Sequence, residues 1–246
     1  MPRLPESCRS RHQAGQLTVR RGPGPGHVIV IDPALRKPEL ASLNRMALAA
    51  PLPLTYHLPA MFGMGSLHQE HMTHARAILV LGSASSVNER LDWQMTLEAW
   101  LRPHLERGMP TLGICYGHQM LAHIFGGRVD YMFPDQRKHV GMRQVTMAAT
   151  PWASSTAGLV AVSHNEHVAD VPSCMRVIAY SAEVAVDGLA HATLPIWSFQ
   201  SHPEATPEFF ADRAIAIADH ALGFGHDLLD RFIRFAATRT PHLGST

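Results

Sequence analysis

Three short apolar runs in the first half of the chain constrain its fold most. Residues 28–31 read Val-Ile-Val-Ile, residues 75–81 read Ala-Arg-Ala-Ile-Leu-Val-Leu, and residues 109–114 read Met-Pro-Thr-Leu-Gly-Ile. None alternates regularly between apolar and polar positions, so each predicts a strand covered on both faces. The segments between them are helical in pattern. Residues 38–50 place Leu40, Leu43, Met46 and Leu48 at helical spacing, and Pro51 and Pro53 stop the run. A second strand is expected over 52–56. Residues 91–107 carry Trp93, Leu97, Trp100, Leu101 and Leu105 on one amphipathic stripe. A further helix is expected over 118–125, closed by Gly126 and Gly127. Strands alternating with helices give a sheet dominated by parallel pairing, with helices laid against it.

From residue 128 to 199 the apolar pieces shorten to 144–147, 159–162, 175–180, 184–186 and 195–200, which predict antiparallel hairpin elements added to the same sheet. Two terminal helices are expected over 207–222 and 227–237. A chain of 246 residues with 46% hydrophobic content suits one domain, placed at 27–240, with a core of its own. Residues 1–26 hold Arg3, Arg9, Arg11, Arg20 and Arg21 against a single acid, Glu6, and end in Gly-Pro-Gly-Pro-Gly. They lack the apolar centre of a secretory signal and are expected to be a disordered basic tail outside the fold.

Composition narrows the partners. A net charge of +1 gives no field for nucleic acid or a membrane surface, and no run approaches the ~18 apolar residues of a membrane span. Cys8, Cys115 and Cys174 form no C-x-x-C pair, so neither a zinc site nor a disulfide framework is expected, and the usage suits a reducing cytoplasm. His68, His71 and His74 recur every third residue, but H-E-x-x-H is absent. A solvated polar face is expected there, with no metal and no cofactor. His118, His123 and His139 are expected to be surface or packing residues.

The chemistry concentrates at residues 112–120, Leu-Gly-Ile-Cys-Tyr-Gly-His-Gln-Met. Strand, G-x-C-x-G, helix is the layout of a nucleophile elbow, where a sharp turn lifts the nucleophile above the sheet and leaves no room for side chains two residues to either side. At a helix N-terminus the dipole favours a thiolate. By itself the motif fits a core cysteine beside two packing glycines equally well. A base must come from elsewhere.

Residues 113–119, with Leu121, Ala122, Gly126 and Gly127, resemble the active-site block of class I glutamine amidotransferases. Residues 198–204, Ser-Phe-Gln-Ser-His-Pro-Glu, are similar to that family's second block, with its histidine 87 residues after Cys115. Weaker likenesses lie at 82–87 and at 162–168, the latter closest to the GMP synthase branch. The resemblance implies a flavodoxin-like three-layer α/β sandwich with a central, mostly parallel sheet, mixed at one edge. It also implies a cysteine amidohydrolase with Cys115 as nucleophile, His202 as acid–base and Glu204 orienting the imidazole, which is expected to titrate near neutrality. An extended backbone through Pro203 would put His202 and Glu204 on one side. The oxyanion donors implied are the N–H groups of Ser83, standing where the family has glycine, and Tyr116. The substrate residues implied are Gly82, Gln119, Ser163, His164 and Asn165, though Gln119 could also simply cap its helix. The substrate expected is glutamine, or another γ-glutamyl compound if the chain is a γ-glutamyl peptidase; a non-catalytic regulatory subunit is the third reading. With no phosphate-cradling G-x-x-x-x-G-K-[ST] loop, the ammonia acceptor is expected on a separate ATP-dependent synthetase.

Overall fold

The computed structural model describes residues 26–67, 72–214, 217 and 221–239. The basic N-terminal segment, including Cys8, lies outside the described residues apart from Gly26, as do His68, His71 and most of residues 215–220. Along the chain run β1 (His27–Ile31), α1 (Leu40–Ala49), β2 (Leu54–His57), a single turn α2 (Pro59–Phe62), β3 (Ala75–Val80), α3 (Asp92–Glu106), β4 (Thr111–Ile114) and α4 (Tyr116–Ile124). Then come β5 (Arg128–Tyr131), β6 (His139–Met147), β7 (Thr156–His164), β8 (Glu166–Asp170), β9 (Met175–Tyr180), β10 (Gly188–His191), β11 (Ile196–Phe199), α5 (Pro207–Ala211) and α6 (Gly223–Thr238).

One nine-stranded sheet has the order β2-β1-β3-β4-β11-β10-β9-β6-β7. The strands from β2 to β11 pair in parallel, and those from β11 to β7 pair antiparallel. The expected α/β sandwich is present, and its antiparallel extension amounts to four strands. The unbroken apolar runs follow from coverage of both faces. Val28 and Val30 of β1 with Leu79 of β3 pack with Leu43 and Met46 of α1 and Leu229, Phe232 and Ile233 of α6. Ile29, Ile31, Ile78 and Val80 point the other way, against Leu97, Leu101 and Leu105 of α3 and Met120 and Leu121 of α4. Full burial of each such side chain stabilises by ~1.5–3 kcal/mol, so shifting β1 by one residue would exchange its two sets of apolar partners.

Two expectations need correction. Residues 184–186 form no strand: Ser181 Oγ accepts from Val184 N–H at 2.9 Å, and Ser181 N–H donates to Val184 O at 2.9 Å, closing a turn. The strand is β10, which begins at Gly188. The pieces at 144–147, 159–162, 175–180 and 195–200 do join the main sheet, and two strands that were not expected, β5 and β8, pair into a separate two-stranded ribbon through Val129 and Val168. The helix expected over 207–222 stops as α5 at Ala211, and Ala214 takes φ 50°, an angle that a right-handed helix does not propagate. Among the described residues, no helix is long and apolar enough to cross a membrane.

Candidate active site

The C-terminal ends of four adjacent parallel strands converge on one cleft, the usual place for a ligand in an open α/β sheet. Asp32 follows β1, Gly82 follows β3, Cys115 follows β4, and His202 lies three residues beyond β11. Cys115 is 5% exposed and sits at φ 51°, ψ −101°, a conformation that costs a non-glycine residue of order 1–3 kcal/mol. The surroundings hold it there. Its N–H donates to Phe199 O at 2.8 Å and its carbonyl accepts from Gln119 N–H at 3.0 Å. Gly113 and Gly117 make the turn possible: a Cβ on the first would lie 2.5 Å from Gly117 O, and one on the second 2.3 Å from Val80 O.

His202 is carried into the site by the antiparallel half of the sheet, its N–H donating to Ala161 O on β7 at 2.8 Å. Its Nδ1 lies 2.7 Å from Glu204 Oε1, with the two side chains 6% and 1% exposed. The backbone between them is not extended as expected. Residues 202–205 form a turn closed by Ala205 N–H to His202 O at 3.2 Å, and it is this turn that folds the carboxylate back under the ring. A carboxylate only accepts, so Nδ1 carries the proton toward Glu204. Among the described residues, Nε2 is buried without a close hydrogen-bond partner.

Burial works against the charged imidazole, but Glu204 and Cys115 outweigh it and hold His202 well above the ordinary range. Titration near neutrality is therefore not what the surroundings favour; they favour imidazolium. Phe209 packs on the ring at 4.7 Å between centroids. Gly82 packs on it too, since a Cβ there would meet His202 Cε1 at 2.9 Å and Cys115 Cβ at 3.5 Å.

Ser83 keeps a negative φ, so a residue other than glycine sits there without strain. Its hydroxyl donates to Pro33 O at 2.7 Å and accepts from Ser85 N–H at 3.2 Å, which pins the turn. Among the described residues, the N–H groups of Ser83 and Tyr116 donate to no backbone carbonyl.

Gly82, Ser83, Ser163, His202 and Glu204 line a cleft of about 450 Å³. Ser163 Oγ and Glu204 Oε2 are buried there without partners among the described residues. Cys115 and Tyr116 lie behind Gly82 and His202 rather than on its wall, and Gln119, His164 and Asn165 do not line it either. Gln119 Nε2 donates to Glu166 O at 3.0 Å and to Gln200 Oε1 at 3.2 Å, while His164 Nδ1 donates to the same carbonyl at 2.9 Å. Burial and the neighbouring Arg143 push His164 down to about 3. Asn165 is exposed, and its carbonyl accepts from Met132 N–H at 2.8 Å.

Several contributors carry no motif. Asp32 accepts from Ala34 N–H at 3.0 Å, from Glu39 N–H at 2.8 Å and from the Tyr56 hydroxyl, shaping one wall of the cleft. Glu39, Lys138 and Arg213 line it as well. Behind it, Arg143 Nη2 meets Asp187 Oδ1 at 2.7 Å with both side chains 0% exposed, and Arg143 Nη1 lies 3.3 Å from His164 Nε2. The Asp-Pro break after β1 was a usable signal for Asp32, because ligands gather at strand C-termini. Arg143 and Asp187 had none. No group of three His, Cys, Asp or Glu side chains among the described residues is placed to hold a metal ion.

The family described as glutamine amidotransferase class-I matches residues 64–216, more than half of the chain. A GMP synthase (glutamine-hydrolyzing) of Anaplasma marginale is 30% identical over 175 residues, covering 69% of this chain and 30% of its own length. A shorter relative, a single subunit of the GMP synthase (glutamine-hydrolyzing) of Saccharolobus solfataricus, is 28% identical over 154 residues, covering 63% and 79%. The chain thus spans less than a third of the first of these relatives. A glutamine amidotransferase structure from Thermotoga maritima superposes with a TM-score of 0.62 at 15% identity, covering 87% of this chain and 97% of that one. One from Methylobacillus flagellatus gives 0.60 at 18%, covering 92% and 100%. At such identities the superpositions speak for the fold alone. The family match over residues that include the whole elbow, His202 and Glu204 carries the conclusion that the chain belongs to the class I glutamine amidotransferases.

Proposed function

We propose that this chain hydrolyses the side-chain amide of glutamine through a thioester on Cys115. The observation that carries the reading is the imidazole of His202, fixed by Glu204 at 2.7 Å and packed on Gly82 beside Cys115. Sγ attacks the amide carbon, forming the C–S bond. The C–N bond then breaks, and the nitrogen takes the Nε2 proton to leave as ammonia. Water next adds to the thioester, giving up a proton to His202, and glutamate departs. The free N–H groups of Ser83 and Tyr116 are suited to the tetrahedral oxyanion, where one donor contributes ~2.7–4 kcal/mol to the transition state. Ser163 Oγ and Glu204 Oε2 are the unpartnered groups available to substrate. Gln119 and His164 act one step back, by holding the carbonyl of Glu166 and so the loop after Ser163.

The likeness to GMP synthases, including those whose glutamine-hydrolyzing part is named as a subunit of its own, supports delivery of ammonia to an ATP-dependent synthetase on another chain. A catalytic thiol suits the reducing cytoplasm. The test is ammonia release from glutamine by wild type and Cys115→Ser, with and without a glutamine-mimicking alkylating agent. Activity that survives in Cys115→Ser, or an agent that labels another residue, would sink the reading.

A further inference from the structure

Glu204 fixes His202 at one nitrogen. A single hydrogen bond leaves the ring able to swing about it, whereas a catalytic side chain has to be held within ~0.5 Å and ~10–20° of its working geometry. Packing must therefore set the plane of the imidazole. Gly82 supplies a small backbone contact with no room for a Cβ. The large contact is Phe209, whose ring centroid lies 4.7 Å from that of the imidazole at an interplanar angle of 48°.

Phe209 in turn needs a support. It belongs to α5, a helix of five residues, too short to be stable by itself, and it packs in a small cluster with Ala161, Ala205 and Phe210. One guanidinium grips it twice. Arg213 Nη1 donates to Phe209 O at 3.0 Å, and Arg213 Cζ lies 3.6 Å from the centre of the Phe209 ring. The third hold on this guanidinium comes from the loop after β1. Arg213 Nη2 donates to Glu39 Oε1 at 3.1 Å, with the two side chains 25% and 22% exposed. Glu39 is itself pinned, its N–H donating to Asp32 Oδ2 at 2.8 Å. A planar fork can meet a carboxylate and a carbonyl with its edges while its face lies on a ring, which an ammonium cannot do. An ion pair this close to solvent adds little stability, so its value here is directional.

We propose that Arg213, anchored by Glu39, is a positioning residue for the base: it holds Phe209 against the imidazole and so fixes the plane of His202 beside Cys115. The inference rests on His202 as the base of the thiol mechanism above.

The test separates the base from the fold. In Arg213→Ala, kcat for glutamine should fall about 10-fold with KM changed less than about 2-fold, a fraction of the ~100-fold that follows a 1 Å misplacement. Alkylation of Cys115 by iodoacetamide across a pH series reads the same geometry without turnover. A loosely held imidazolium stabilises the thiolate less, so the midpoint of that profile should rise by about one pH unit. Phe209→Leu should reproduce both effects, and adding Arg213→Ala to it should change neither further. Arg213→Lys keeps the charge and loses the planar fork, and should behave like Arg213→Ala. A raised KM with kcat and the alkylation profile unchanged would overturn the proposal and make Arg213 a reader of the substrate carboxylate. So would a lowered thermal midpoint with both readouts unmoved, effects of Arg213→Ala and Phe209→Leu that simply add, or full activity in Arg213→Lys. Failure of the wild type to hydrolyse glutamine would count against the thiol mechanism alone, since the alkylation profile still reports how firmly His202 is held.

Discussion

Arg143 and Asp187 form the most deeply buried ion pair among the described residues. Both side chains are 0% exposed, with Nη2 and Oδ1 2.7 Å apart. Removing one member strands the other charge in the interior, which typically costs ~3–5 kcal/mol, a large share of the ~5–15 kcal/mol that holds a domain folded. Arg143→Met should therefore lower the urea midpoint sharply, as followed by circular dichroism. Arg143→Met with Asp187→Leu should recover most of the loss, since an apolar pair needs no desolvated charge.

The cost should also depend on pH, and its sign can be worked out. Burial already raises the Asp187 carboxyl, and Arg143 is the main group lowering it. Without Arg143 the folded-state value climbs further above the unfolded ~3.9. The folded form then binds more protons than the unfolded one, so its stability falls with rising pH by ~1.4 kcal/mol per unit until the folded value is passed. Arg143→Met should thus lie much nearer wild type at pH 5 than at pH 8. A single mutant within ~1 kcal/mol of wild type at pH 8, a pH-independent difference, or a double mutant no better than the single would refute the reasoning. The rescued double mutant should still show a raised KM for glutamine, because His164 has lost the Nη1 donor that helps fix the loop after Ser163.

Other perturbations have simpler signatures. Gly82→Ala places a Cβ 2.9 Å from His202 Cε1; kcat/KM for glutamine should fall about 100-fold, the scale of a ~1 Å misplacement, with thermal denaturation little changed. In Gly117→Ala the Cβ meets the Val80 carbonyl at 2.3 Å, and backbone cannot yield as a side chain can, so a denaturant titration should show a loss of at least the ~1–3 kcal/mol typical of overpacking. His118 and His164 are both pushed down to about 3, chiefly by burial, so each takes up a proton on unfolding between that value and ~6.5. Their contribution is intact above pH ~6.5 and fades below it by ~1.4 kcal/mol per unit for each histidine; His118→Phe should flatten the acid limb of a stability–pH curve, and an unchanged limb would contradict this.

The parallel half of the fold was legible because its signal is redundant. Runs such as 28–31 are apolar at every position because two helical layers cover them, and the helices between carry regular stripes at Leu97, Leu101 and Leu105. The elbow was legible for a different reason: clashes of under 3 Å at Gly113 and Gly117 leave no alternative residue, so the sequence has to display glycine there. The antiparallel half was harder to read. In β5 only Val129 is buried while Tyr131 is exposed, so one buried residue in four marks no strand; Val184 and Val186 alternate as a strand would, although Ser181 turns the chain at that point. Arg143 sits in a strand like any solvent-facing arginine, and only the three-dimensional return of Asp187 shows that it points inward.

These two halves also divide the work of the site. Cys115 and the proposed oxyanion donors come from turns at the ends of β3 and β4, where the ladder with β11 and the contact of Gly117 with Val80 hold a strained backbone. His202 instead hangs from the antiparallel extension through Ala161 O at 2.8 Å, and β7 is paired throughout its length with β6, which carries Arg143. A substitution that loosens β6 or β7 should therefore move the base and leave the nucleophile in place. Such a variant would still be alkylated at Cys115 by a small electrophile, while its turnover of glutamine fell. Loosening β4 would abolish both together, because the 51° φ of Cys115 persists only while its neighbours forbid relaxation.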